Sequence, residues 1–236
     1  MSIHISMFTP TKKTAMNSNL LKLAQSLDAL FPIGSYTLSN GMETYVQKNI
    51  VCDRTDLERH LRSYLYMLTF NDLAFAAKAY EGYDIKQLDA LCGALKAPRE
   101  MREGSMKQCI RFLKLHTQLD DYPLLVRYKE YIENGECDGH YCIAMGLFIK
   151  EIGVDISTAL ELYCYSILSS MANHAVKLVP LRQLDGQKAL FEVEKEISDA
   201  VRRAVTVSME EIGASGCGFD IRSMQHEKLY SRLYIS

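Results

Sequence analysis

Hydrophobic positions recur along this chain at helical rather than strand spacing. Over Thr55–Tyr80, Leu57, Leu61, Tyr64, Leu65 and Leu68 fall on one stripe, with Asp56 and Glu58 in the first turn. From Pro98 onward, Met106, Cys109, Ile110 and Leu113 follow the i, i+3, i+4, i+7 pattern, so a helix starts near that proline. Pro123 opens another segment, with Asp120-Asp121 placed to cap it and Asn134-Gly135 to stop it. His140–Glu151 and Ser157–Val179 are two further candidates. Gln187–Glu211 sets Leu190, Val193, Ile197, Val201, Ala204 and Val205 opposite Glu192, Lys195, Glu196, Asp199 and Arg203. Period-two runs are nearly absent, and the five prolines fall between periodic segments. The pattern predicts an all-α protein, one bundle-like domain of roughly eight to ten helices at ordinary helix lengths.

Three stretches stand apart. Residues 1–18 are polar and read as a loose N-terminal segment, ahead of a helical body over 19–218. Gly213-Ala-Ser-Gly216-Cys-Gly218 follows a helix and lacks the glycine order of a nucleotide loop, so it reads as a hinge. Residues 219–236 form a tail rich in Ile221, Met224, Leu229, Tyr230, Leu233, Tyr234 and Ile235, interleaved with Arg222, His226, Glu227, Lys228 and Arg232. Polar, poorly ordered termini are the norm. A helical tail would stack Leu229 on Leu233 and Tyr230 on Tyr234. Aromatics beside an arginine are typical of binding hot spots, so this tail requires a dock, on its own body or on another protein.

With 236 residues, 48% of them hydrophobic, the chain can bury a sizeable core. A net charge of −2 gives no basic stripe for nucleic acid. The longest apolar runs, Tyr141–Ile149 and Leu162–Ala172, fall short of the ~20 residues of a membrane span. Met1–Met16 lacks the apolar core of a signal peptide. Seven scattered cysteines without a CxxC predict reduced thiols and a cytoplasmic setting.

Catalytic signatures are missing: no GxxxxGK[ST], no GxSxG, no HExxH and no Glu-x-x-His occurs. His226-Glu227 has no third orienting group in sequence and reads as a recognition pair. Cys137-Asp-Gly-His140-Tyr-Cys142 is the best metal candidate, yet a structural zinc site usually takes four ligands in paired spacings. A loop with buried thiols is the favoured reading. The expectation is a protein without catalytic residues, cofactor or metal ligands, the alternative being a small helical metal-binding protein or enzyme centred on Cys137, His140 and Cys142.

Five segments taken in order resemble the urease accessory protein F (UreF) family. They are Leu20–Leu23 with Phe31–Tyr36 and Ser39–Glu43; Arg102–Ser105 leading to Leu113; His140-Tyr141 with Ala144–Gly146; Lys177–Gln187; and Ser223-Met224, His226-Glu227 with Tyr230–Tyr234. The match spans nearly everything after residue 18. Cys109 and Arg182 stand where that family often has glycine, Cys142 where proline is frequent and Lys177 where arginine is common.

The resemblance implies an all-helical homodimer without enzymatic activity, joining UreD/UreH and the GTPase UreG so that nickel reaches apo-urease, and modulating GTP hydrolysis by UreG. It assigns His226, Glu227, Tyr230, Arg232, Leu233 and Tyr234 to UreD/UreH, and Lys177, Tyr36 and Glu43 to UreG. Structural readings stand beside these. Lys177 suits a helix C-terminus whatever it faces. Phe31–Gly34 reads as a loop, Ser39 as an N-cap with Met42 and Tyr45 inside, and Gly186 as a turn. Leu160–Ala172 fits a dimer seam or the monomer core.

Overall fold

A computed structural model describes residues 12–35, 38–214 and 216–234, with side chains from residue 18 onward. Twelve helices and no strand occur among them. They are α1 (Lys12–Leu27), α2 (Met42–Gln47), α3 (Arg54–Phe70), α4 (Asp72–Glu81), α5 (Ile85–Leu95) and α6 (Arg99–Leu119). There follow α7 (Pro123–Glu133), α8 (Tyr141–Ile152), α9 (Ile156–Leu178), α10 (Gln183–Glu194), α11 (Ile197–Thr206) and α12 (Cys217–His226). The all-α expectation holds, and the helix starts near Pro98, Pro123 and His140 fall where the pattern put them.

Local chemistry sets many of the boundaries. Asp53, Asp84 and Asp155 each accept a hydrogen bond from the amide three residues on, Asp56 N, Gln87 N and Thr158 N, at 2.9 Å. Gly82 and Gly153 end α4 and α8 in the left-handed region, which glycine enters without steric cost. Asp120 and Asp121 do not cap α7. Asp120 instead pairs with Lys22 on α1, and Glu151 of α8 accepts from Leu124 N at 2.5 Å. The start of α7 is thus capped from a neighbouring helix.

Two continuous stripes of the sequence are each two helices, which accounts for the larger helix count. The first breaks at Asn71, whose φ/ψ of −119°/−107° leaves the helical region while its side-chain amide donates to Met67 O at 2.9 Å. The second breaks at Lys195-Glu196, where Glu196 is tied back to Arg62 of α3 at 2.7 Å. Hydrophobic periodicity carries across both breaks because both halves face one core. Gly186 is no turn. It lies inside α10, where a Cβ would stand 2.5 Å from Val176 Cγ2 of α9, so the missing side chain sets how closely α10 and α9 approach. α1 begins at Lys12, within the stretch expected to be loose.

The core is organised around α8, buried along almost its whole length. A helix apolar on every side belongs at the centre of a bundle, and α4, α6 and α7 all pack against this one. Contact with α4 is closest at Gly146, where a Cβ would collide with the carbonyl oxygen of Ala76. An aromatic cluster of Phe31, Phe112, His116, Tyr122 and Phe148 fills the α6–α8 side. α9 runs past α3, α10 and α11 on the other side. Within its Leu160–Ala172 run, Leu160, Tyr163, Cys164, Leu168, Met171 and Ala172 are buried in this core, whereas Leu162 and Tyr165 reach the surface. None of the described helices is long and apolar enough to cross a membrane.

Candidate partner-docking site

The tail is built onto the body through a buried polar knot. Asn40 and Gly41, at φ +52° and +78°, turn the chain into α2 and deliver Glu43 into the interior, where only 3% of it is exposed. Gly41 rather than Ser39 precedes the helix, and its conformation suits glycine. A Cβ there would stand 2.9 Å from Ser223 Oγ, so α12 lies directly on this turn. Ser39 is itself buried, with its carbonyl accepting from Met42 N.

His226, fully buried at the end of α12, lies between two carboxylates. Its Nε2 is 2.9 Å from Glu43 Oε2 and its Nδ1 is 2.7 Å from Glu100 Oε2, Glu100 standing in the first turn of α6. Each ring nitrogen thus faces a carboxylate oxygen from a different helix, α2 on one side and α6 on the other. Beyond His226 the chain turns and folds back. The amides of Leu233 and Tyr234 donate to Glu43 Oε1 and Oε2 at 2.8 and 3.0 Å, and Arg232 Nη1 reaches Glu100 Oε1 at 2.6 Å. Glu227 pairs with Arg99 at 3.1 Å, and Gln47 donates to Ser231 O at 3.0 Å. The Tyr234 ring packs 4.4 Å from that of His174 on α9.

At the other end of α12, Phe219 enters an aromatic group with Tyr45, His60 and Tyr64 at centroid distances of 5.3–5.8 Å. Burial lowers the pKa of His60 from 6.5 to about 4, keeping it neutral among these rings. The expected hinge is pinned at its start. Gly213 N donates to Phe70 O at 2.8 Å, and Leu95 occupies the space a Cβ would need. Ser215 lies outside the described residues.

The tail is therefore one helix and a return strap, and the helical pairing of Leu229 with Leu233 and Tyr230 with Tyr234 does not occur. α12 stops at His226 because the strap must reverse to bring its amides onto Glu43. Of the residues assigned to a partner, His226, Glu227, Arg232 and Tyr234 contact this chain's own body. Tyr230 and Leu233 face outward, at 106% and 75% exposure, and Ile221 and Met224 add half-exposed apolar surface. Glu43, expected to face a GTPase, is buried under the strap instead. Lys177 is exposed in the last turn of α9, one turn beyond His174. Tyr36 lies outside the described residues. Glu100 in the knot and Phe219 in the aromatic group at the other end of α12 carried no signal in the sequence, since a first-turn glutamate and a lone phenylalanine are ordinary helix residues.

The thiol candidate is not assembled either. Cys142 Sγ lies 3.7 Å from Cys92 Sγ of α5, and burial holds the Cys142 thiol well above its usual range. Burial also pushes Cys137 up to about 12. His140 turns instead toward Asp89 and Asp138.

Comparison with known proteins decides the family. The UreF family model matches residues 51–194. The chain belongs to the UreF family. A urease accessory protein UreF of Actinobacillus pleuropneumoniae serotype 5b is 36% identical over 221 residues, covering 91% of this chain and 97% of that protein. One from Haemophilus influenzae strain PittEE is 33% identical over 226 residues, with 93% and 96% covered. A more distant one, from an Arthrobacter species, is 30% identical over 223 residues, with 94% and 99% covered. In the UreF chain described here, the matched residues 51–194 contain α3–α10 in full, while Glu43 and the strap that seals it lie outside that span.

Proposed function

We propose that this protein is a non-catalytic urease maturation factor. It bridges UreD/UreH and the GTPase UreG in the cytoplasm so that nickel is delivered to apo-urease. The reading rests on family membership together with one observation: a strap locked to the body at Glu43 and Glu100 still holds Tyr230 and Leu233 out in solvent. A pre-ordered segment that presents an aromatic and a leucine loses little conformational entropy on binding. UreD/UreH takes that apolar pair. UreG meets the surface near Lys177, whose charge extends from the C-terminal turn of α9. The protein acts as a homodimer, and GTP hydrolysis belongs to UreG.

The test is co-expression of this chain with UreD/UreH and UreG, followed by sizing of the complex. Tyr230→Ala combined with Leu233→Ala removes the exposed pair without touching the buried knot. The expected result is loss of UreD/UreH from the complex with an unchanged melting temperature. Full retention of UreD/UreH would refute the docking assignment. Lys177→Ala is expected to weaken UreG association while UreD/UreH stays bound.

A further inference from the structure

The loop between α7 and α8 wraps a buried carboxylate on α5. Asp89, 1% exposed, accepts from Asp138 N at 2.6 Å, from Gly139 N at 3.1 Å and from the Tyr128 hydroxyl at 2.5 Å. The Tyr128 hydroxyl in turn accepts from His140 N at 2.7 Å. These bonds fix the loop and the backbone of His140. The His140 imidazole is fully buried, with Nδ1 3.4 Å from Ser105 Oγ on α6, while Nε2 is buried without a hydrogen-bond partner. An unpaired buried ring nitrogen is costly.

That nitrogen points to where acidic oxygens gather. Donor atoms of Asp89, Asp138 and His140 all lie within 4.8 Å of one another. A Cβ on Gly93 of α5 would stand 3.2 Å from His140 Nε2 and 3.3 Å from Asp138 Oδ2, so the absent side chain leaves the space between them open. Asp138 is exposed and gives the group an opening to solvent.

We propose that Asp89, Asp138 and His140 form a binding site for one divalent first-row transition-metal ion, of the class of Zn²⁺ or Co²⁺. Two carboxylates and an imidazole suit such ions, whereas an all-oxygen set would suit Mg²⁺ or Ca²⁺. Ligands bonded to one ion at about 2.1 Å lie roughly 3–4 Å apart, so a small rotation of the exposed Asp138 side chain closes the set. Ser105 supplies the outer contact. With Nδ1–H donating to its hydroxyl oxygen, the Nε2 lone pair is left for the metal, the arrangement by which metal-bound imidazoles are usually oriented. The gathered donor atoms are those of Asp89, Asp138 and His140, and no thiol is among them. The site is independent of the docking strap.

The experiment is titration of the full-length, metal-free chain with Zn²⁺ by calorimetry and with Co²⁺ by absorption spectroscopy. The expected result is one ion per chain, cobalt ligand-field bands without a thiolate charge-transfer band, and affinity at least about tenfold weaker in Asp138→Asn. Asp138 is exposed, so that variant keeps the fold, which a thermal melt verifies. Gly93→Ala should weaken binding as well by filling the gap. No stoichiometric binding by the native chain, a thiolate charge-transfer band, or native affinity in Asp138→Asn would each overturn the proposal.

Discussion

Glu43 Oε2 and His226 Nε2 lie 2.9 Å apart although 183 residues separate them in sequence. The same carboxylate takes the amides of Leu233 and Tyr234, so one buried side chain holds both the end of α12 and the strap beyond it.

Replacing Glu43 by Ala leaves His226 with Glu100 alone and strands two amides. Leaving buried hydrogen-bonding groups without their partner costs about 1–3 kcal/mol each. The expected outcome is a lower urea midpoint, with amides 227–234 losing their protection from hydrogen exchange while α8 keeps its own. Unchanged exchange in the strap would show that Glu43 does not hold it. Deleting residues 223–236 would orphan the same carboxylate, so the deletion tests stability and docking together, and the surface pair Tyr230/Leu233 separates them.

Arg232→Ala should behave differently. Its ion pair with Glu100 is 38% exposed on the arginine side, and exposed pairs contribute ~0–1 kcal/mol. A melting temperature within a few degrees of the native value is expected. A large fall would mean that the strap is anchored mainly at Glu100.

Gly146→Ala forces a methyl group against the Ala76 carbonyl at the closest approach of α4 and α8. Overpacking of this kind costs about 1–3 kcal/mol. A depressed denaturant midpoint with unchanged helical content is expected. Native stability would mean that the two helices can separate without cost.

Acid sensitivity follows from the buried histidines. His60 and His116 are both lowered from 6.5 to about 4 by burial, so the folded state resists protonation while the unfolded state accepts it. Their contribution is complete above pH 6.5 and is lost as pH falls through 4. Each group removes up to ~3 kcal/mol once both states are protonated. His60→Phe, which retains a ring in the aromatic group, should lose less of its urea midpoint between pH 6.5 and 4 than the native chain. Equal losses would place the acid sensitivity elsewhere.

Much of the fold was readable from apolar periodicity because the helices are amphipathic or wholly buried, and prolines and aspartates mark several of their starts. The pattern failed where two helices share one stripe, as at Asn71 and at Lys195-Glu196, since hydrophobic spacing reports the face and not the backbone break. The tail's composition indicated a dock, but not which residues bind the body. That division depends on a carboxylate near residue 43 and another near residue 100, whose meeting with His226 is a tertiary event with no local signature. The metal candidate failed similarly. Cys137 and Cys142 flank His140 in sequence, whereas the groups that join it in space come from α5 and from Asp138.

Sealing Glu43 with residues 226–234 has a consequence for synthesis. A nascent chain can collapse around α8 while it is still being translated, but its early acidic side chain stays without these partners until the strap has left the ribosome. A product cut short before His226 would therefore keep an interior carboxylate without these hydrogen-bond partners.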